Sequence, residues 1–92
     1  MIKTFKHKGL ERFFLAGERR LLDASQTRRI ERMLDALNNA SDIRDLLMPS
    51  YGLHRLSGDK SNIWSMKVSG NWRLTFRFEN GHACDVNLED YH

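Results

Sequence analysis

Covalent cross-links are the first thing this 92-residue chain lacks. Its one cysteine, Cys84, has no internal partner, and no His or Cys grouping has the spacing of a structural zinc site. Proline occurs once, at Pro49, and 40% of the residues are hydrophobic, which separates the chain from disordered sequences. Long apolar runs are missing too. The longest, residues 13–16, covers about four positions, whereas a membrane-spanning helix needs roughly 20. The opening residues 1–6 are basic but lead into no signal-like apolar segment, so the expected location is cytoplasmic with no membrane partner. A chain this short holds one domain, residues 1–92.

A large excess of either charge is also absent, since 15 Lys and Arg face 12 Asp and Glu. The distribution says more than the total. Residues 1–32 hold nine basic and four acidic residues, a balance of +5, while residues 33–92 hold six basic and eight acidic, a balance of −2. A basic half fits a polyanion, where phosphate neutralisation releases counterions. It fits an acidic protein partner equally well, and a plain solvated face is the bland alternative.

The hydrophobic period divides the chain in two. Ile2 and Phe5 open an expected edge strand, and residues 8–17 read as a short helix with Leu10, Phe13 and Phe14 on one face, ended by Gly17. A longer helix follows, capped by Asp23 or Ser25, with Ile30, Met33, Leu34 and Leu37 as its apolar stripe and Asn38 and Asn39 at its fading end. Its other face carries Arg28, Arg29, Arg32 and Asp35, which form no favourable ion-pair ladder. Ser41 can cap one further turn, and Pro49 and Gly52 then punctuate the chain.

From there the period becomes 2. Residues 53–56 and 63–68 read as strands, the second with Trp64, Met66 and Val68 on one face and Ser65 and Lys67 on the other. Residues 72–78 alternate most clearly: Trp72, Leu74, Phe76 and Phe78 against Arg73, Thr75 and Arg77. In residues 82–88, Cys84, Val86 and Leu88 are expected to alternate with Ala83, Asp85 and Asn87. The fold class is therefore α+β: N-terminal helices packed on one face of a small antiparallel sheet. The sheet's apolar residues should meet Phe13, Phe14, Ile30, Leu34 and Leu37 in a single core.

With the apolar face occupied by the core, the opposite face of the sheet is polar and basic, with Arg73, Arg77 and Lys67. At the beginning and end of the sheet lie His54, Arg55, Asp90, Tyr91 and His92. Cleavage of RNA by its own 2′-hydroxyl needs a base for that hydroxyl, cations for the phosphorane oxygens and an acid for the departing 5′ oxygen. Histidine, arginine and tyrosine can supply proton transfer, a bidentate phosphate fork and substrate support. Taken singly, each has a plain reading: solvated sheet arginines, a half-buried histidine, a frayed chain end.

The segments His54-Arg55-Leu56-Ser57-Gly58-Asp59-Lys60, Trp64-Ser65-Met66-Lys67-Val68, Asn71-Trp72-Arg73-Leu74-Thr75-Phe76-Arg77-Phe78 and Glu89-Asp90-Tyr91-His92 resemble the HigB toxins, a branch of the RelE/ParE-like superfamily. The opening residues 1–10 fit the same branch, so the resemblance covers essentially the whole chain. It implies a RelE-like fold and a metal-independent, cofactor-free endoribonuclease that cuts messenger RNA at the ribosome. It also implies restraint by a HigA-like helix-turn-helix antitoxin, with operator DNA involved only through that complex. Carried over residue by residue, the catalytic set is His54, Arg73, Asp90, Tyr91 and His92: Arg73 on the scissile phosphate, Tyr91 supporting the substrate, and the others sharing proton transfer. Arg55, Lys60, Lys67 and Arg77 are the expected phosphate contacts.

Three positions depart from the family pattern: Arg55 stands where Pro is usual, Ser57 where Lys is usual and Asn62 where Gly is usual. Ser57 removes a cation from the expected rim. Arg55 adds one beside His54, but strand alternation points it another way. Two other classes compete with the nuclease reading, a ParE-like gyrase inhibitor and a catalytically silent module that binds an antitoxin or nucleic acid.

Overall fold

The computed structural model describes residues 1–91, as helices followed by strands. α1 is Lys8–Ala16. His7 caps it, its ring Nδ1 accepting the Leu10 N–H at 3.1 Å, and Gly17 ends it at φ 71°, a left-handed value that favours glycine. Gly9 allows this cap to close, because a Cβ there would stand 2.8 Å from the His7 ring and 3.0 Å from Leu21.

α2, Thr27–Asn39, begins later than its capping signals suggest. The Asp23 carboxylate accepts the amide and hydroxyl of Ser25, so this pair closes a turn of its own and caps nothing. The helix starts behind Gln26, whose side-chain amide donates instead to Ser69 Oγ at the end of the second strand. A 3₁₀ turn, Ile43–Leu46, follows with Asp42 as its cap in place of Ser41; Asp42 and Asp45 form a reciprocal capping box. Two more 3₁₀ turns, Pro49–Tyr51 and Gly58–Lys60, flank the short strand β1, His54–Arg55.

β2 (Ile63–Ser69), β3 (Trp72–Glu79) and β4 (His82–Asp90) complete an antiparallel sheet in the order β1-β2-β3-β4. The expected N-terminal edge strand reduces to two parallel bridges, Ile2 to Ala83 and Phe5 to Val86. Between them β4 carries a bulge: Asp85 takes φ 53°, its N–H donates to Thr4 Oγ1 at 2.8 Å, and the β3–β4 register shifts between Thr75 and Arg77. That extra residue corrects the alternation read from the sequence. Ala83 pairs with Phe78 and is fully buried, while Cys84 pairs with Arg77 on the outer face and does not share the face of Val86 and Leu88.

The helices cover the inner face of the sheet. Leu10, Ile30, Met33, Leu34, Leu37, Met66, Leu74, Phe76 and Val86 are at most 1% exposed, and Leu46 and Tyr51 extend this core beyond the residues expected from the sequence. Phe14, Trp64, Phe78 and Leu88 pack at its margin. Trp72, which alternation puts on the side of Leu74 and Phe76, stands at the start of β3 and is 37% exposed.

Candidate active site

Residues directly opposite in an antiparallel ladder point to the same side of the sheet. The register therefore sorts the outer face into rows. One row, His54, Ser65, Thr75 and Asn87, crosses all four strands. The next row toward the carboxyl end of β4 is Lys67, Arg73 and Glu89, and the row on the other side is Ile63, Arg77 and Cys84. At strand spacings of about 4.8 Å and two-residue steps of about 6.7 Å, the Cα atoms of His54 and Arg73 lie roughly 12 Å apart.

His54 is exposed on an edge strand, and its Nδ1 lies 3.1 Å from the Gly52 carbonyl oxygen. A carbonyl only accepts, so Nδ1 carries a proton in this contact and Nε2 is the ring nitrogen left for another partner. Arg73 is half-buried, and its Nη1 donates to the carbonyls of Gly70 at 2.8 Å and Trp72 at 3.1 Å. Those two bonds fix the guanidinium plane. Its Nε–H and Nη2–H edge has no partner among the described residues, which is the donor pair that grips a phosphate.

Asp90 is exposed and pairs with Trp72 at the sheet's end. Tyr91 follows, its N–H donating to the Asn71 carbonyl at 2.8 Å, so the chain's carboxyl end is tied beside the first residues of β3 and the Arg73 row. His92, the fifth expected catalytic residue, lies outside the described residues.

The four expected phosphate contacts divide. Lys67 stands exposed in the row of Arg73. Lys60 is exposed in the Gly58–Lys60 turn that leads into β2. Arg55 pairs with Trp64, on the other side of β1 from His54, and its guanidinium lies 4.9 Å from the centre of that indole ring. Arg77 is held by two carboxylates, Nη1 to Glu79 at 2.6 Å and Nε to Asp85 at 3.0 Å. Its hydrogen bonds to Asp85 first and Glu79 second push its pKa further up, so its charge is permanent but already neutralised by neighbours.

Three further residues belong to this face, Ser65 and Thr75 as the alternation expects and Glu89 through the register, and sequence reasoning assigned none of them a role. Thr75 is 2% exposed and donates to Glu89 at 2.6 Å; Glu89 stands opposite Arg73; Ser65 is fully buried, and its hydroxyl has no partner among the described residues. Placing Glu89 beside Arg73 requires the β4 bulge, which hydrophobic periodicity does not reveal. Lys6, Arg77, Asn87 and Glu89 frame a pocket of about 70 Å³ over Thr75, well below the roughly 300 to 1,000 Å³ of a small-molecule site. A substrate must therefore lie across the open face. Among the described residues no three His, Cys, Asp or Glu side chains converge as a metal-ligand set.

Comparison with known proteins places this geometry in a family. The model for the RelE-like toxin of type II toxin-antitoxin system HigB matches residues 3–92. The Endoribonuclease HigB of Proteus vulgaris is 46% identical over 92 residues, covering the full length of both chains. The Toxin HigB-1 of Vibrio cholerae serotype O1 is 30% identical over 93 residues, covering 99% of this chain and 98% of that one. A two-helix, four-strand antiparallel architecture and these full-length matches agree: the chain belongs to the RelE-like HigB toxins of type II toxin-antitoxin systems.

Proposed function

We propose that this toxin is an endoribonuclease that cuts messenger RNA in the ribosomal decoding site. The observation that carries the reading is one sheet face bearing the Arg73 guanidinium edge that has no partner among the described residues, the Lys67 cation, the exposed His54 and, tied at the start of β3, Asp90 and Tyr91. His54 Nε2 takes the proton of the 2′-hydroxyl, and O2′ attacks the adjacent phosphorus. Arg73, through Nε and Nη2, and Lys67 hold the charge that grows on the non-bridging oxygens. The P–O5′ bond breaks, a proton from the Asp90–His92 segment goes to O5′, and the products are a 2′,3′-cyclic phosphate and a free 5′-hydroxyl. No step in this sequence requires a cofactor. The open face contributes few contacts to RNA, so alignment of O2′ with the scissile phosphate falls to the ribosome.

Membership of a type II system implies an antitoxin partner. We assign that role to a HigA-like helix-turn-helix protein, and the site of action to the cytoplasm, where the ribosome is. No helix among the described residues is long and apolar enough to cross a membrane. Primer extension on messenger RNA after brief expression tests the reading: wild type should give codon-positioned cuts that vanish in Arg73→Ala and in a chain lacking His92. Intact messenger RNA with blocked gyrase supercoiling would instead establish the gyrase class.

A further inference from the structure

Two of the expected catalytic residues hang on one tight turn. β2 ends at Ser69 and β3 begins at Trp72, so Gly70 and Asn71 form the whole loop between them, with Gly70 at φ 54°. Three successive carbonyls of this hairpin serve the cleavage face. Those of Gly70 and Trp72 accept from Arg73 Nη1, and that of Asn71 accepts the Tyr91 N–H. A shift of the turn therefore moves the guanidinium and the end of β4 together.

The sheet supports this hairpin end from one side only. On the β4 side Trp72 pairs with Asp90. On the other side the β2–β3 register shifts between Lys67 and Ser69, and β1, which pairs with Trp64 and Ser65 alone, stops short of the turn. There the support comes from α2. Arg29 Nη2 donates to the Lys67 carbonyl at 2.9 Å, and nearest the turn the Gln26 side-chain amide donates to Ser69 Oγ at 2.9 Å. Gln26 is only 6% exposed, whereas glutamine is mostly a surface residue, and a buried amide is unfavourable unless it is hydrogen-bonded. It occupies the N-cap of α2, where a short side chain ordinarily accepts an N–H of the first turn, yet its side chain makes no capping bond. The amide reaches Ser69 instead, 43 residues along the chain.

We infer that Gln26 is a positioning residue for the cleavage face: it clamps the β2–β3 turn through Ser69 and so fixes the Arg73 guanidinium and the Tyr91 main chain, without touching substrate itself. The inference rests on the nuclease reading above and adds the residue that sets its geometry. From the Gln26 amide the path runs through Ser69 Oγ to the adjacent Gly70 carbonyl and on to Arg73 Nη1. Catalysis by a preorganised cation is sensitive to displacements of about 1 Å, so a loosened clamp acts on the chemical step and leaves ribosome binding alone. The same helix supplies an internal comparison. Near its other end Asn38 Oδ1 accepts the Ile2 N–H at 2.9 Å, a long-range bond that does not involve the turn.

The test compares Gln26→Met, which keeps the length of the side chain and removes its donor, Ser69→Ala, which removes the acceptor from an exposed residue, and the control Asn38→Ala. Single-round cleavage on saturating ribosome–messenger complexes should fall about ten-fold in Gln26→Met and in Ser69→Ala, fall by the same factor in the double variant, and recover in Ser69→Thr, which keeps the hydroxyl. Ribosome affinity of all variants, and cleavage by Asn38→Ala, should stay within about two-fold of wild type. Hydrogen exchange at the Tyr91 amide should quicken about ten-fold in Gln26→Met and Ser69→Ala but not in Asn38→Ala. Should Gln26→Met fail to fold, the contrast of Ser69→Ala with Ser69→Thr decides. Unchanged cleavage, a fall shared with Asn38→Ala, additive losses in the double variant, a loss that lies in ribosome binding, or unchanged Tyr91 exchange each overturns the inference. If wild type cuts no messenger RNA, the nuclease reading fails, and the Tyr91 exchange comparison by itself decides whether Gln26 clamps the turn.

Discussion

Arg73 and Arg77 occupy the same strand and the same outer face, and strand alternation alone does not rank them. The structure separates them by their partners. Arg77 lies between Glu79 and Asp85 and is saturated. Arg73 stands opposite Glu89, but that carboxylate accepts the Thr75 hydroxyl at 2.6 Å, and the Arg73 guanidinium is fixed by main-chain carbonyls, which orient it without neutralising it. An oriented cation whose Nε–Nη2 edge has no partner among the described residues is suited to a phosphate; one held by two carboxylates is suited to bracing strands. The difference comes from the bulge at Asp85, which brings that carboxylate to Arg77.

The largest expected effect follows directly. Arg73→Ala should lower ribosome-dependent cleavage by about 10² to 10³-fold, the loss typical of one preorganised transition-state donor, with little change in thermal midpoint. Arg73→Lys should recover only part of it, because an ammonium cannot offer the two parallel N–H groups. Arg77→Ala should do the reverse, keeping cleavage within about three-fold while lowering the melting temperature measurably. Equal losses of activity in the two alanine variants would erase the distinction.

A smaller effect tests whether Thr75 matters to Arg73. Thr75→Val keeps the shape and removes the hydroxyl donated to Glu89. Glu89 then becomes available to Arg73 across the ladder, where it would compete with substrate phosphate. Cleavage should fall about three- to ten-fold through KM, with kcat nearly unchanged and rescue by Thr75→Ser. A fall confined to kcat would mean that the hydroxyl acts on the reaction itself.

These contrasts mark what was legible in the sequence. The two central strands were, because seven or eight residues of strict alternation have one consistent reading, and Trp64, Met66, Leu74 and Phe76 fall inward as that reading requires. The α1 stop at Gly17 was legible for the same local reason. The capping of α2 was not: Asp23 and Ser25 satisfy each other, and a local alternative of that kind has the same composition as a cap. Nor was the face of Cys84, since a single left-handed residue reverses every side chain before it relative to those after it. His54 and Arg55 could be named as neighbours, but the Trp64 ring that draws Arg55 away arrives from another strand.

The smallest effect contrasts two histidines with opposite hydrogen-bond polarity. His54 Nδ1 faces a carbonyl oxygen and donates to it, a contact in which Nε2 takes no part. His7 Nδ1 accepts the Leu10 amide, so it must be unprotonated for α1 to be capped. Burial, the larger influence, lowers the His7 pKa below its ordinary value of 6.5, with its own backbone hydrogen bond acting weakly in the other direction. A depressed native value means that the folded state favours the neutral ring. Its contribution is therefore complete above about pH 6.5 and is lost as pH falls through the lowered native value. The effect is small because the ring is partly solvated. Thermal midpoints recorded from pH 7.5 to 5 should decline on the acid side in wild type and decline less in His7→Asn, which keeps a capping acceptor but does not titrate. Parallel declines in the two proteins would place the acid sensitivity elsewhere and leave the cap as a purely structural contact.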